Sequence, residues 1–276
     1  MNNGWRHLLL AMLVLSLLAA CATSPTGRKQ LMLVSEDTAI AESRQAYVAT
    51  VRDLNAKGKL SRDRATIARV NRITGRLVTQ AIEMRPDSAD WDWSVVVIDE
   101  PNTVNAWCMA GGRMAIYTGL IEKVEPTDDE LAQVMGHEIA HALANHTAEK
   151  MSVQMASMLG VAAIGIAADN HVAALGGASL AAVYAINRPN SRTAEREADR
   201  IGIELAARAG YDPAAAPTLW RKMEAVSGQG PPQWLSTHPS PDNRQKTLAE
   251  LVPQMQPLYD PAARHPVYPV KSATGG

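Results

Sequence analysis

Two histidines four residues apart with a glutamate beside the first, His137-Glu138-Ile139-Ala140-His141, have the types and spacing to hold a divalent cation and move a proton next to it. An α-helix turns about 100° per residue, so positions four apart lie about 40° from each other on one face, one turn apart. Two imidazoles placed so can reach one Zn²⁺. Glu138 falls on the flank of that face. It can take a proton from a metal-bound water without occupying a coordination position, which is what the general base of a peptide hydrolysis must do.

A catalytic zinc needs a third protein ligand and an open position for water. The metzincin pattern would place a glycine at position 144 and a histidine at position 147. The chain has Ala144 and Thr147, so that class is excluded. His146 is nine residues from His137, and on a continuous helix it falls roughly on the opposite side, as a packing or surface residue. An acid on a second helix is the remaining candidate. In Glu195-Arg196-Glu197-Ala198-Asp199, Glu195 and Asp199 share a face and Glu197 points away from them. Glu195 is placed to ligate, and Asp199 to accept the second ring N–H of a ligand histidine and fix its tautomer. Ala198 and Gly202 on the adjoining face allow a close approach to the first helix.

The elements around these residues can be read from the pattern. Thr127-Asp128-Asp129-Glu130 has the Thr-x-x-Glu form of a capping box with acids in the first turn, so a helix should start there and continue past His141. Apolar residues recur at helical spacing over 35–56 and over 61–84, the second stripe being Ile67, Val70, Ile73, Leu77, Val78, Ala81 and Ile82. Trp93 to Ile98 reads as a strand, and Ala106 to Tyr117 as a hairpin turning at Gly111-Gly112. Met151 to Ile186 is an apolar stretch broken at Asp169-Asn170-His171. Neither half reaches the roughly 20 residues of a bilayer span, so a buried or membrane-facing helical hairpin is expected. A helix from about Thr193 to Ala209 is closed by Gly210, and a shorter one runs from Pro241 to Leu251.

The ends of the chain differ from its middle. Residues 1–20 have the form of an export signal, with Arg6 and His7 leading into the apolar run Leu8 to Leu18. Leu18-Ala19-Ala20-Cys21 resembles a bacterial lipobox, which would make Cys21 the acylated first residue of the mature chain. Ala22 then favours the outer membrane over the inner. Residues 21–34 read as a tether, 35–252 as one peptidase domain and 253–276 as a tail without clear pattern. Cys108 is expected to be a small buried apolar residue. The formal net charge is -1 with both signs dispersed, so no basic stripe suggests nucleic acid. Phenylalanine is absent; we have no physical account of that.

Taken together, the segment from Thr127 through His137-Glu138-Ile139-Ala140-His141 to His146, with Asn190-Ser191-Arg192 before Glu195-Arg196-Glu197-Ala198-Asp199, resembles metallopeptidase family forty-eight. The resemblance runs from about Leu31 to Leu251. It implies a mainly helical α+β domain, a gluzincin-like zincin with a small β-sheet beside the motif helix. It implies one Zn²⁺ per chain, held by His137, His141 and Glu195, with Glu138 as catalytic base and Asp199 as the acid behind a ligand. Asn105-Ala106-Trp107 is similar to the family's edge strand, along which a substrate adds a strand through its backbone. Ser236-Thr237-His238-Pro239 with Arg244 resembles its C-terminal element. His238 is then either a stabiliser of the oxyanion or a fourth, inhibitory ligand. The family's integral-membrane members have spans longer than this chain's apolar stretches, so prenyl-protein processing is not implied.

The expected function is that of a lipid-anchored periplasmic endopeptidase whose partners are unfolded or mis-assembled envelope proteins. The rival from another class is a lipid-anchored chaperone or scaffold that keeps zinc as a structural element and captures clients on the edge strand. A closed four-ligand zinc would be its signature.

Overall fold

Ser35 and Asp63 start the two long helices that precede the sheet. The Ser35 hydroxyl accepts from the Thr38 amide at the head of α1 (Glu36–Ala56), and the Asp63 carboxylate accepts from Ala65 at the head of α2 (Arg64–Met84). Each cap satisfies an amide that has no partner within its helix. The computed structural model describes residues 21–167, 191–226, 234, 236, 238 and 243–272. Within it α2 buries Val70, Ile73, Leu77, Val78 and Ala81, while Ile67 and Ile82 pack at the rim of the same core.

Three strands follow in the spatial order β3-β5-β4: β3 (Ser94–Ile98), β4 (Ala106–Met109) and β5 (Arg113–Tyr117). β4 and β5 form the expected antiparallel hairpin, turning at Gly111 and Gly112 with φ of 80° and 79°. That conformation favours glycine, and a Cβ on Gly112 would also meet the Trp93 indole at 2.5 Å. β3 lies parallel to β5, from Ser94 opposite Arg113 to Ile98 opposite Tyr117. It is buried along its whole length, which accounts for an unbroken β-branched run in place of alternation.

A short helix α3 (Thr118–Val124) leads to α4 (Asp128–Leu143), the helix of the His-Glu motif. The capping box is complete, with the Glu130 amide donating to the Thr127 hydroxyl and the Thr127 amide to the Glu130 carboxylate. Glu130 also accepts from Thr218 and Lys222 on α7 (Ala215–Ala225), so the cap is a tertiary contact too. From Glu130 to Leu143 every side chain of α4 except His141 is buried. Such a helix belongs at the centre of a fold. α2, β4 and α7 surround it.

Three features depart from the pattern-based expectations. The helix continues past His141 as expected but ends at Leu143, short of His146. Asn145 sits in the left-handed region at φ 55°, a conformation Asn tolerates, and α5 (His146–Ala167) begins a new direction there. Residues 21–31, expected as a tether, form an antiparallel hairpin of β1 (Cys21–Thr23) and β2 (Lys29–Leu31). Its buried Gln30 donates to the Ala144 carbonyl at 2.7 Å and to Glu149 at 2.9 Å. The tail is also docked: Tyr268 N–H donates to Gly75, and Lys271 exchanges backbone bonds with Trp93 and Val95 beside β3. The strand pairing and these tail bonds run through the backbone and leave no periodic trace in the sequence.

The helical residues 191–208 (α6) and α8 (Arg244–Met255) complete the frame. The expected signal at 1–20, the second half of the 151–186 hairpin, Thr237 and Pro239 lie outside the described residues. Among the described residues no helix is long and apolar enough to cross a membrane.

Candidate metal centre

α4 and α6 meet backbone to backbone at the motif. A Cβ on Gly202 would stand 2.8 Å from the His137 nitrogen, and one on Gly136 would stand 2.8 Å from the Gly202 carbonyl oxygen. Gly202 is legible from its face on α6. Gly136 also carries a signal, since a helix-interior glycine costs roughly 1 kcal/mol against alanine. Gly202→Ala should therefore push α6 from α4, costing about 1–3 kcal/mol in a urea melt and weakening zinc binding in a competition titration. Unchanged zinc affinity would mean that this approach does not set the site.

The approach brings His137 and His141 to Glu195, and with His238, which comes from outside both helices, each offers an atom within 4.8 Å of the others. His137 Nε2 lies 3.1 Å from His141 Nε2 and 3.3 Å from Glu195 Oε2, and His141 Nε2 lies 3.5 Å from Glu195 Oε1. Ligand atoms about 2.0–2.1 Å from a tetrahedral zinc stand about 3.3–3.4 Å apart, so the three groups have the spacing of zinc ligands. Nitrogen and carboxylate donors are also the chemistry that zinc accepts.

Both histidines have their other ring nitrogen engaged. His137 Nδ1 lies 3.0 Å from Asp199 Oδ1. Arg244 Nη2 is nearly as close to Nδ1, at 3.1 Å, but both nitrogens carry protons and both turn to the carboxylate. Arg244 also reaches Glu195 at 3.4 Å and stacks 3.7 Å over Trp220, so it ties the two acids together. On the other side, His141 Nδ1 lies 2.8 Å from His146 Nδ1, and His146 Nε2 lies 3.2 Å from Glu197 Oε2. For Nε2 of both histidines to face a cation, each Nδ1 must carry its proton. Asp199 and His146 are placed to accept those protons.

Here the expectation for His146 is corrected. The change of direction at Asn145 turns it back onto His141, and it is 7 % exposed. Glu197 does face away from Glu195 and Asp199, but it faces a buried contact, not solvent. Burial opposes its charge, yet hydrogen bonds from His146, Ser24, Thr26 and Arg28 hold its carboxyl far below the usual range. Burial and the Arg244 charge push the His137 imidazolium down, while Asp199 and Glu195 outweigh them and raise it to about 9. His141 moves the opposite way, through burial first and then the charges of His137 and its other neighbours. Glu195 and Asp199 stay low despite burial because His137 and Arg244 face them.

Glu138 is buried beside this cluster. Its Oε1 accepts from Trp234 Nε1 at 2.7 Å and lies 3.5 Å from His238 Nε2. The Trp234 amide donates to Val104, two residues before β4, and His238 returns to the Trp234 carbonyl through its amide and Nδ1. Trp234 thus links the base candidate, the edge strand and His238; nothing in the sequence pattern singles it out. Asn105 and Ala106 are buried where β4 begins, and Trp107 stands edge-on to Tyr47. β4 is an outer strand of its sheet and packs on α4. Cys108 lies buried on it, and burial, then the Glu138 charge, drives its thiol well up, so it stays protonated.

A helix bearing His-Glu-x-x-His, a carboxylate from a second helix and a short mixed sheet alongside define a zincin-type metallopeptidase domain. The chain belongs to Peptidase family M48, whose pattern matches residues 64–252, as the sequence resemblance implied. It is 35 % identical over 241 residues to the bovine (Bos taurus) protein named "Metalloendopeptidase OMA1, mitochondrial", covering 83 % of this chain and 45 % of that protein. It is 31 % identical over 217 residues to the "Beta-barrel assembly-enhancing protease" of Escherichia coli (strain K12), covering 75 % of this chain and 43 % of that one. The chain therefore spans less than half the length of these two relatives.

Proposed function

We propose that this zinc metallopeptidase is an endopeptidase that cleaves unfolded or mis-assembled envelope proteins, held to the outer membrane on its periplasmic side by a lipid on Cys21. The observation that carries the reading is the convergence of His137, His141 and Glu195 at 3.1–3.5 Å, with Glu138 flanking them. In this reading the three residues hold one zinc ion. When bound, zinc supplies Lewis-acid activation of a water molecule and of the scissile carbonyl. Glu138 accepts the proton of the attacking water and returns it to the leaving amine. Asp199 holds His137 in the tautomer and orientation that present Nε2. An extended substrate adds a strand along Asn105, Ala106 and Trp107, which recognises backbone more than side chains and so suits unfolded chains of varied sequence.

A second reading is supported by the place of His238. Its inclusion in the ligand group would close the coordination set and make the zinc structural, leaving a lipid-anchored chaperone or scaffold. Comparing the envelope proteins that accumulate in cells carrying wild-type protein or Glu138→Gln separates the two. Full-length unfolded or mis-assembled proteins should accumulate several-fold in the variant. Identical profiles, with purified wild type cleaving nothing, would favour the scaffold.

A further inference from the structure

The partner of His141 belongs to a buried network that ends on the N-terminal hairpin. Beyond His146, Glu197 accepts from the hydroxyls of Ser24 and Thr26 and from Arg28 Nε at 2.6 Å. The other two nitrogens of Arg28 fork onto Glu149, both at 2.6 Å. Gln30 joins Glu149 to the Ala144 carbonyl at the end of α4. One short hairpin thus touches α4, α5 and α6 at the point where they converge behind His141. His146, Glu149 and Glu197 are each less than 10 % exposed.

We propose that the hairpin Cys21–Leu31 is a clasp that orients His141 at the metal centre, with His146, Glu197 and Arg28 as positioning residues. This rests on the reading of His137, His141 and Glu195 as zinc ligands. Asp199 serves His137 from within the domain through one bond, whereas the partner of His141 rests on Glu197, whose other hydrogen bonds come from the hairpin. Two buried carboxylates share the Arg28 guanidinium. Without it each is a buried charge missing its cation, an arrangement that is strongly unfavourable, and Glu197 turns from His146 to find water. His146 then loses the acceptor for its Nε2 proton, and nothing fixes the face it presents to His141. The bidentate fork also makes lysine a poor substitute, because one ammonium cannot span both carboxylates in that plane.

The test uses the full chain with zinc or cobalt bound. Glu197→Gln and Arg28→Ala should weaken zinc binding about 10–100-fold, the usual cost of losing a partner behind a metal ligand. They should also shift the visible bands of the cobalt form and lower kcat with KM near the wild-type value. Arg28→Lys should recover part of each effect. Arg113→Ala, which removes a buried arginine paired with Asp92 on β5, controls for stability alone and should leave affinity and spectrum unchanged. A folded Glu197→Gln variant with wild-type zinc affinity and cobalt spectrum overturns the clasp, even if Arg28→Ala does not fold. His141→Ala separates this from the parent reading. Loss of zinc there beside unaffected clasp variants sinks only the clasp, whereas zinc retained at wild-type affinity sinks the ligand assignment itself.

Discussion

Glu138→Gln should lower kcat for an unfolded protein such as casein by about 10²–10⁴-fold, the range that a positioned acid or base contributes. KM and zinc content should change little. Glutamine keeps the volume of the side chain and an oxygen to accept from Trp234, whose indole fixes the carboxylate at 2.7 Å. What it lacks is a basic oxygen. The variant therefore removes the proton transfer and leaves packing in place, so the loss should fall on kcat and kcat/KM alike. Steady-state cleavage with zinc quantified in the same sample reads both. Cleavage at the wild-type rate with full zinc would remove Glu138 from the mechanism and shift attention to His238, a titratable group 3.5 Å from it.

The parts of this centre that were legible are those governed by helical geometry. His137 with His141, and Glu195 with Asp199, follow from a four-residue spacing that a helix turns into a shared face. The close approach at Gly202 follows from the same wheel. The wheel failed for His146, because it assumes one continuous helix. A single left-handed Asn145, with no glycine or proline to mark it, ends α4 after Leu143 and returns His146 to the site. For Glu197 the wheel gives the direction, away from Glu195 and Asp199, but not what lies there. Away from Asp199 leads to His146 and the N-terminal hairpin, which tertiary structure alone brings there. Trp234, Arg28 and the tail share that property. The contacts of Trp234 with Glu138, of Arg28 with Glu197 and of Tyr268 with Gly75 join residues more than 90 positions apart, and a single sequence has no periodicity that records such pairs.

Glu195→Gln should cost more zinc affinity than any substitution behind the ligands. The ranking follows from where each charge sits. Each Glu195 oxygen faces a different histidine nitrogen, at 3.3 and 3.5 Å, so both lie where a shared cation would be. Glutamine at 195 replaces an anionic donor with a neutral one and leaves Arg244, 3.4 Å away, less fully compensated beside that cation. Asp199 acts one residue further out, through His137 Nδ1 at 3.0 Å. Asp199→Asn retains an oxygen to accept that proton, so its loss should stay within about 10–100-fold. Glu195→Gln should exceed 100-fold, roughly 2.7 kcal/mol or more, and abolish cleavage at zinc concentrations that saturate the wild type. Competition with a chromophoric chelator measures the three proteins on one scale. The reverse order, with Asp199→Asn the weaker binder, would place the metal nearer Asp199 and overturn the assignment of Glu195 as third ligand.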